Sequence, residues 1–77
     1  EEDKIDINWE NEGKDNETIL HVACKNGHFE IVQFLLQFNH IELNKLTKFL
    51  LESPFFLSCK YAKIEIVKLL LFDQRVD

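Results

Sequence analysis

Displaced by 35 residues, the sequence lies back on itself, and this constrains the fold more than any other feature. Glu17-Thr18 falls on Glu52-Ser53, Cys24-Lys25 on Cys59-Lys60, Glu30-Ile31-Val32 on Glu65-Ile66-Val67 and Leu35-Leu36 on Leu70-Leu71. Between 17–42 and 52–77, eight of 26 positions are identical. The tetrad Ile5-Asp6-Ile7-Asn8 recurs as Ile41-Glu42-Leu43-Asn44 and begins again at Val76-Asp77, so the sequence is expected to stop inside its own repeat. A chain built this way stacks copies of one small unit, because no single unit can bury its apolar surface alone.

Each unit reads as two short helices. Thr18 is a good N-cap for a helix over 19–26, and Ser53-Pro54 sets a capping hydroxyl before a proline at the first helical position. Leu20, Ala23 and Cys24 at i, i+3 and i+4 give that first helix one buried face, and Asn26-Gly27 stops it. A second helix over 29–37 carries Ile31, Val32, Leu35 and Leu36. Its counterpart over 64–72 carries Ile66, Val67, Leu70 and Leu71.

The run Thr18-Ile19-Leu20-His21-Val22-Ala23-Cys24-Lys25-Asn26-Gly27-His28, followed by Glu30-Ile31-Val32 and Leu35-Leu36, resembles an ankyrin repeat. The resemblance implies an all-α solenoid fragment of stacked helix-turn-helix units with connecting loops. It divides the chain into an acidic lead-in with the tail of a preceding repeat at 1–8, a well-matched repeat at 9–44 and a degenerate repeat at 45–77, truncated in its closing loop. It also assigns His21 to hydrogen bonds near Thr18 and the neighbouring backbone, Cys24 to a small core position, and His28 to capping the turn between helices. Asn16 stands where the family prefers glycine, a substitution that asparagine tolerates. The second unit departs further: Phe56 replaces the histidine, Ser58 the first alanine, Ala62 the glycine and Lys63 the second histidine. Leu51 occupies the turn-glycine position. Leu46, Phe49 and Leu50 at i, i+3 and i+4 predict a helical turn there instead of a projecting hairpin.

Charge and composition exclude several classes. The net charge is −5, which offers no footprint for a nucleic-acid backbone or an anionic membrane. Residues 1–17 carry −6 and the remaining sixty carry +1, so a solvated, loosely ordered leader precedes a nearly neutral body. No apolar run approaches the roughly 18–20 residues that span a bilayer. Two cysteines are too few for a disulfide-stapled scaffold, which points to a reducing, cytoplasmic or nuclear setting. Cys24 and Cys59 occupy equivalent positions on stacked helices roughly 8–10 Å apart. A bridge needs Cα atoms within about 7 Å, so two buried thiols are expected.

Apparent chemistry dissolves on inspection. His21, Cys24 and His28 share a helix side, but three ligands without a partnering pair do not make a structural zinc site, and no metal or cofactor is expected. A Cys-His pairing lacks an orienting acid and an oxyanion hole. Gly13 and Gly27 stand alone, so no phosphate loop exists. An enzyme is not expected.

Binding remains. The resemblance implies a protein-interaction module that recognises a protein partner through loop tips and first-helix surface, flanked by adjacent repeats of its parent chain. Carried over by position, the first loop offers Trp9, Glu10, Lys14, Asp15 and Glu17. The first helices offer Lys25, Asn26, Lys60 and Tyr61. The competing expectation is an architectural spacer or end-cap within a larger protein. The apolar cluster Phe49, Leu50, Phe55 and Phe56 is expected to thicken the core where the signature has eroded. Asn44, eight residues after Leu36, resembles the asparagine that ankyrin proteins present for hydroxylation, with service to its own turn as the preferred reading. Two units fall short of the three or so that repeat proteins usually need, so the isolated chain is expected to be marginally folded or to self-associate through uncapped ends.

Overall fold

In the computed structural model, which describes residues 6–77, Thr18 has extended backbone at φ −94° and ψ 172° and opens helix α1 (Ile19–Asn26). Its hydroxyl accepts the His21 N–H, and the His21 ring accepts the Thr18 N–H, closing a reciprocal cap. Gly27, at φ 78°, ends α1 by donating its N–H to the Ala23 carbonyl. Helix α2 (Phe29–Leu35) follows at once. His28 stands at its N-cap, but the imidazole makes no capping bond, so the role expected of that side chain is not observed. The second unit repeats the plan. The Ser53 hydroxyl accepts the Phe56 N–H with Pro54 in the first turn, opening helix α3 (Pro54–Lys60), and helix α4 (Ile64–Leu71) follows. The second helices end one or two residues before the expected 37 and 72.

α1 packs on α3 and α2 on α4, with α1 and α2, and α3 and α4, paired within their own units. Among the described residues the only bridge between extended segments is Asn11 with Glu17, so the fold is all-α. Leu20, Ala23, Cys24, Val32, Leu35, Ile41, Leu43, Ile66 and Leu70 form the shared core. Each large aliphatic side chain so buried contributes about 1.5–3 kcal/mol.

Equivalent positions in the two units do not share a fate. Ile31 is 42% exposed while Ile66 is 1%, and Ile19 and Val22 lie open while Pro54 and Leu57 are buried. These positions lie on the leading side of each unit, which in the second unit is covered by the first and in the first is exposed among the described residues. On the opposite, trailing side the order reverses: His21 and Cys24 are buried under the second unit, while Phe56 and Cys59 are exposed. The expectation of two buried thiols therefore fails for Cys59, since no later unit lies over it among the described residues.

Polar contacts tie the units at their far ends. Asn8 donates to the His40 carbonyl and accepts the Glu42 N–H, both at 2.9 Å. Asn44 does the same one unit on, donating to the Arg75 carbonyl at 2.8 Å and accepting the Asp77 N–H at 2.9 Å. Asn44 thus joins successive loops and does not merely serve its own turn. Arg75 reaches back to the Leu36 and Phe38 carbonyls at the end of α2, where a cation complements the helix dipole. Residues 6–17 are folded against the body, which corrects the loosely ordered leader over that span. Residues 1–5 of that leader lie outside the described residues.

Candidate protein-binding edge

Two loops and the ends of α1 and α3 make one edge of the molecule. In the first loop, Asn11 donates its N–H to the Glu17 carbonyl at 2.8 Å and its side chain accepts the Gly13 N–H, holding a 3-10 turn at Glu12–Lys14. Asp15 and Asn16 then take left-handed backbone at φ 56° and 58°. Asn16 spends its side chain on Glu10, donating at 2.9 Å.

The second loop follows the same plan with one residue fewer. Thr47 donates its N–H to the Glu52 carbonyl at 3.1 Å, and its buried hydroxyl accepts the Glu52 N–H at 2.9 Å. Leu51 takes the left-handed position at φ 55°. The first loop holds the second by its tip: the Asp15 carboxylate accepts the Phe49 N–H at 2.6 Å and the Leu50 N–H at 3.1 Å, and its carbonyl accepts the Lys48 N–H. The predicted helical turn over Leu46, Phe49 and Leu50 is therefore absent. The left-handed backbone of Leu51 stops a right-handed turn from continuing, and the Thr47 N–H bond to the Glu52 carbonyl closes the segment as a loop instead.

The apex chemistry differs between the loops. Where the first has Gly13 and Lys14, the second has Phe49 and Leu50, 75% and 67% exposed. The expected core-thickening cluster is thus divided. Phe55 packs partly into the core, whereas Phe49, Leu50 and Phe56 are open.

Electrostatics explain where several predicted contact residues go. Glu17 pairs with Lys25 at 2.9 Å and Glu52 with Lys60 at 2.9 Å, the same pair one unit apart. Both pairs sit at identical positions of the self-alignment, a signal that reveals them without a structure. Glu10 pairs with Lys45 at 2.7 Å, and the ammonium holds the Glu10 carboxyl below its ordinary value. Partial desolvation pulls the Asp15 carboxyl up, but the Phe49 and Leu50 N–H groups outweigh it and leave the group below its usual value. Thr47 has no such signal, because the deleted residue shifts it to an offset of 36 from Asn11.

His21 clamps this edge from beneath. Its Nε2 lies 2.7 Å from the Lys45 carbonyl and 3.0 Å from the Glu52 carbonyl. Carbonyls only accept, so Nε2 carries the proton and Nδ1 takes the Thr18 N–H. Burial keeps the ring neutral by pushing its pKa down, against the two carbonyls that pull it up. Burial likewise pushes the Cys24 thiol up to about 12, which leaves it no thiolate near neutral pH.

Trp9, Lys14, Asn26 and Tyr61 are exposed. Trp9 does not pack into the body; it borders an apolar hollow of about 300 Å³ with Ile7, Ile19, Ile31 and Phe34 on the leading side. Among the described residues no cluster of three or more His, Cys, Asp or Glu side chains is placed to hold a metal ion, and no helix is long and apolar enough to cross a membrane.

Paired antiparallel helices, a glycine or left-handed residue at each turn and fingers projecting between units define a helical repeat protein. The family model for ankyrin repeats (three copies) matches residues 3–77, and the chain belongs to that family. No curated protein and no solved structure matches it. Ankyrin repeats are generally protein-interaction modules and typically non-enzymatic scaffolds.

Proposed function

We propose that this chain is a protein-recognition module whose contact edge runs along the two finger tips and the open ends of α1 and α3. The observation that carries this reading is the second tip. Phe49 and Leu50 project large apolar side chains from a backbone fixed by four hydrogen bonds, to Asp15 and Glu52. The first loop reaches the same plan with Gly13 and Lys14, so folding does not require apolar residues at the apex. Ordered, exposed aromatic and aliphatic groups are what binding hot spots use.

Of the residues expected to touch a partner, Trp9, Lys14, Asn26, Lys60 and Tyr61 are exposed and open to one. Glu10, Asp15, Glu17 and Lys25 are half-buried and shape the edge through their internal bonds, while Lys60 pairs with Glu52 and stays exposed. In this reading the chain divides into an acidic lead-in with the tail of a preceding repeat at 1–8, the first unit at 9–44 and the second, degenerate unit at 45–77. The two free cysteines fit a reducing setting, cytoplasmic or nuclear, for such a binding module.

The test is a quantitative pull-down from cell extract with wild type and a variant carrying Phe49→Ser and Leu50→Lys, their melting temperatures compared. Loss of a protein partner at unchanged melting temperature supports the reading. Identical partner lists sink it and leave these units as spacers.

A further inference from the structure

We infer that the partner taken by this edge is an acidic segment of another protein with apolar anchors. Its aliphatic or aromatic side chains seat on Phe49 and Leu50, and its carboxylates meet the lysines beside them. This rests on the recognition reading above and names the chemistry of what is recognised.

A finger tip is open wherever its unit stands in the stack. Gly13 and Lys14 hold in the first finger the places of Phe49 and Leu50 in the second, and they stay exposed with the second finger bonded alongside. A further finger set in the same way against the second would leave Phe49 and Leu50 open too. The tip is therefore a surface of the fold itself, and its exposure does not follow from where the sequence starts or stops.

Charge gives the sign of the partner. In each ion pair of the edge the lysine is the more exposed member, 31% against 13% for Lys25 and Glu17 and 44% against 11% for Lys60 and Glu52. Lys25 keeps this bias although α3 packs on its helix, so the bias is not confined to the end of the stack. Lys14 and Lys48 add exposed cations beside the tips. Of the finger carboxylates, Asp15 is turned onto the Phe49 and Leu50 amides, Glu52 is buried, and Glu12 is exposed in the first finger. The second finger thus presents cations around apolar groups, in a chain whose net charge is −5. A basic partner, which that net charge attracts from a distance, would meet ammonium groups on contact.

Two of these lysines are also set against aromatic rings. Lys48 Nζ lies 5.2 Å from the centroid of the Phe49 ring, and Lys60 Nζ lies 5.6 Å from that of Tyr61. The ring attracts the ammonium and keeps it near its face. Each pair therefore offers a cation and an apolar surface side by side. A carboxylate next to a leucine or an aromatic residue matches both at once, and a purely apolar or a purely acidic segment matches only half.

The experiment selects peptides from a random display library on the chain itself and measures the enriched ones by fluorescence anisotropy at low and raised salt. Enriched sequences should combine net negative charge with leucine or aromatic residues, and their affinity should fall as salt rises. Two double variants separate the parts. Phe49→Ser with Leu50→Ser removes the apolar tip. Lys14→Glu with Lys48→Glu reverses the charge beside it, at side chains that make none of the hydrogen bonds fixing the fingers. The charge variant should weaken binding about tenfold and the tip variant at least as much. Enriched sequences that are neutral or basic, or an affinity unchanged in the charge variant, overturn the inference and leave the tip reading standing. An affinity unchanged in the tip variant, or no enrichment above a control protein, overturns both. Melting temperatures separate loss of binding from loss of fold, and the composition and salt dependence of the enriched set need no variant.

Discussion

His21 meets three segments with one ring: Thr18 at the start of its own helix, and the carbonyls of Lys45 and Glu52 at the two ends of the following loop. Only the neutral Nε2–H form satisfies all of them. Its folded pKa lies below the unfolded value of about 6.5. As pH falls through that value, the unfolded chain takes up a proton that the folded chain resists, so stability is lost on acidification and regained toward neutral pH. The melting temperature is expected to drop between pH 7.5 and 5.5, above the ordinary carboxylate range. An NMR titration should place the His21 ring below the usual histidine range; a ring titrating at or above it would refute the assignment. Backbone strain gives a second test. Leu51 and Ala62 hold left-handed φ values of 55° and 56°, which cost a side-chain-bearing residue about 1–2 kcal/mol. Leu51→Gly and Ala62→Gly relieve that strain and lose some unfolded-state entropy in exchange, for a net gain of about 0.5 kcal/mol each. Gly27→Ala should move the other way by about 1 kcal/mol, since φ is 78° and the new Cβ would lie 3.0 Å from Lys63 Cδ. Thermal melts of the three variants read both signs.

At the scale of elements, the helices were legible and the second finger was not. α1 begins at Thr18 and stops at Gly27, and α3 begins at Ser53-Pro54, because caps act within four residues of sequence. The second finger depends on Asp15, 34 and 35 residues away from the amides it binds. The local spacing of Leu46, Phe49 and Leu50 suggested a helical turn, whereas the left-handed Leu51 and the distant Asp15 hold the segment as a loop. The same distance hid the fate of Cys59, since its burial is set by what packs over α3 and not by its place in the repeat. In the candidate edge, Trp9 and Tyr61 could be picked out by residue type, and the Glu17–Lys25 and Glu52–Lys60 pairs by their repetition. The apolar tip could not, because apolar residues beside an eroded signature read as core. Asp15→Ala is therefore expected to free the second tip selectively. Hydrogen exchange at Phe49 and Leu50 should accelerate strongly while the amides of α1 and α4 keep their protection. Uniform acceleration across the chain would mean that Asp15 supports the whole fold instead.

For the whole molecule, stability is held in the joint between units as much as within them. Ile31 and Ile66 make the comparison clean: the residue type is the same, the repeat position is the same, and only the place in the stack differs. Ile66 is 1% exposed and sits in the shared core with Leu70 and Leu35, whereas Ile31 is 42% exposed on the uncovered leading side. Truncating a buried isoleucine to alanine costs about 2–5 kcal/mol, a large share of the roughly 5 kcal/mol that a small domain commands. Ile66→Ala should therefore unfold both units together in one transition, because neither helix pair keeps a core once the joint is lost. Ile31→Ala should cost under about 1 kcal/mol, because its side chain is partly exposed. Denaturant melts of both variants measure this. Equal costs would show that the units are stabilised independently, and that the stack adds nothing its parts do not already have.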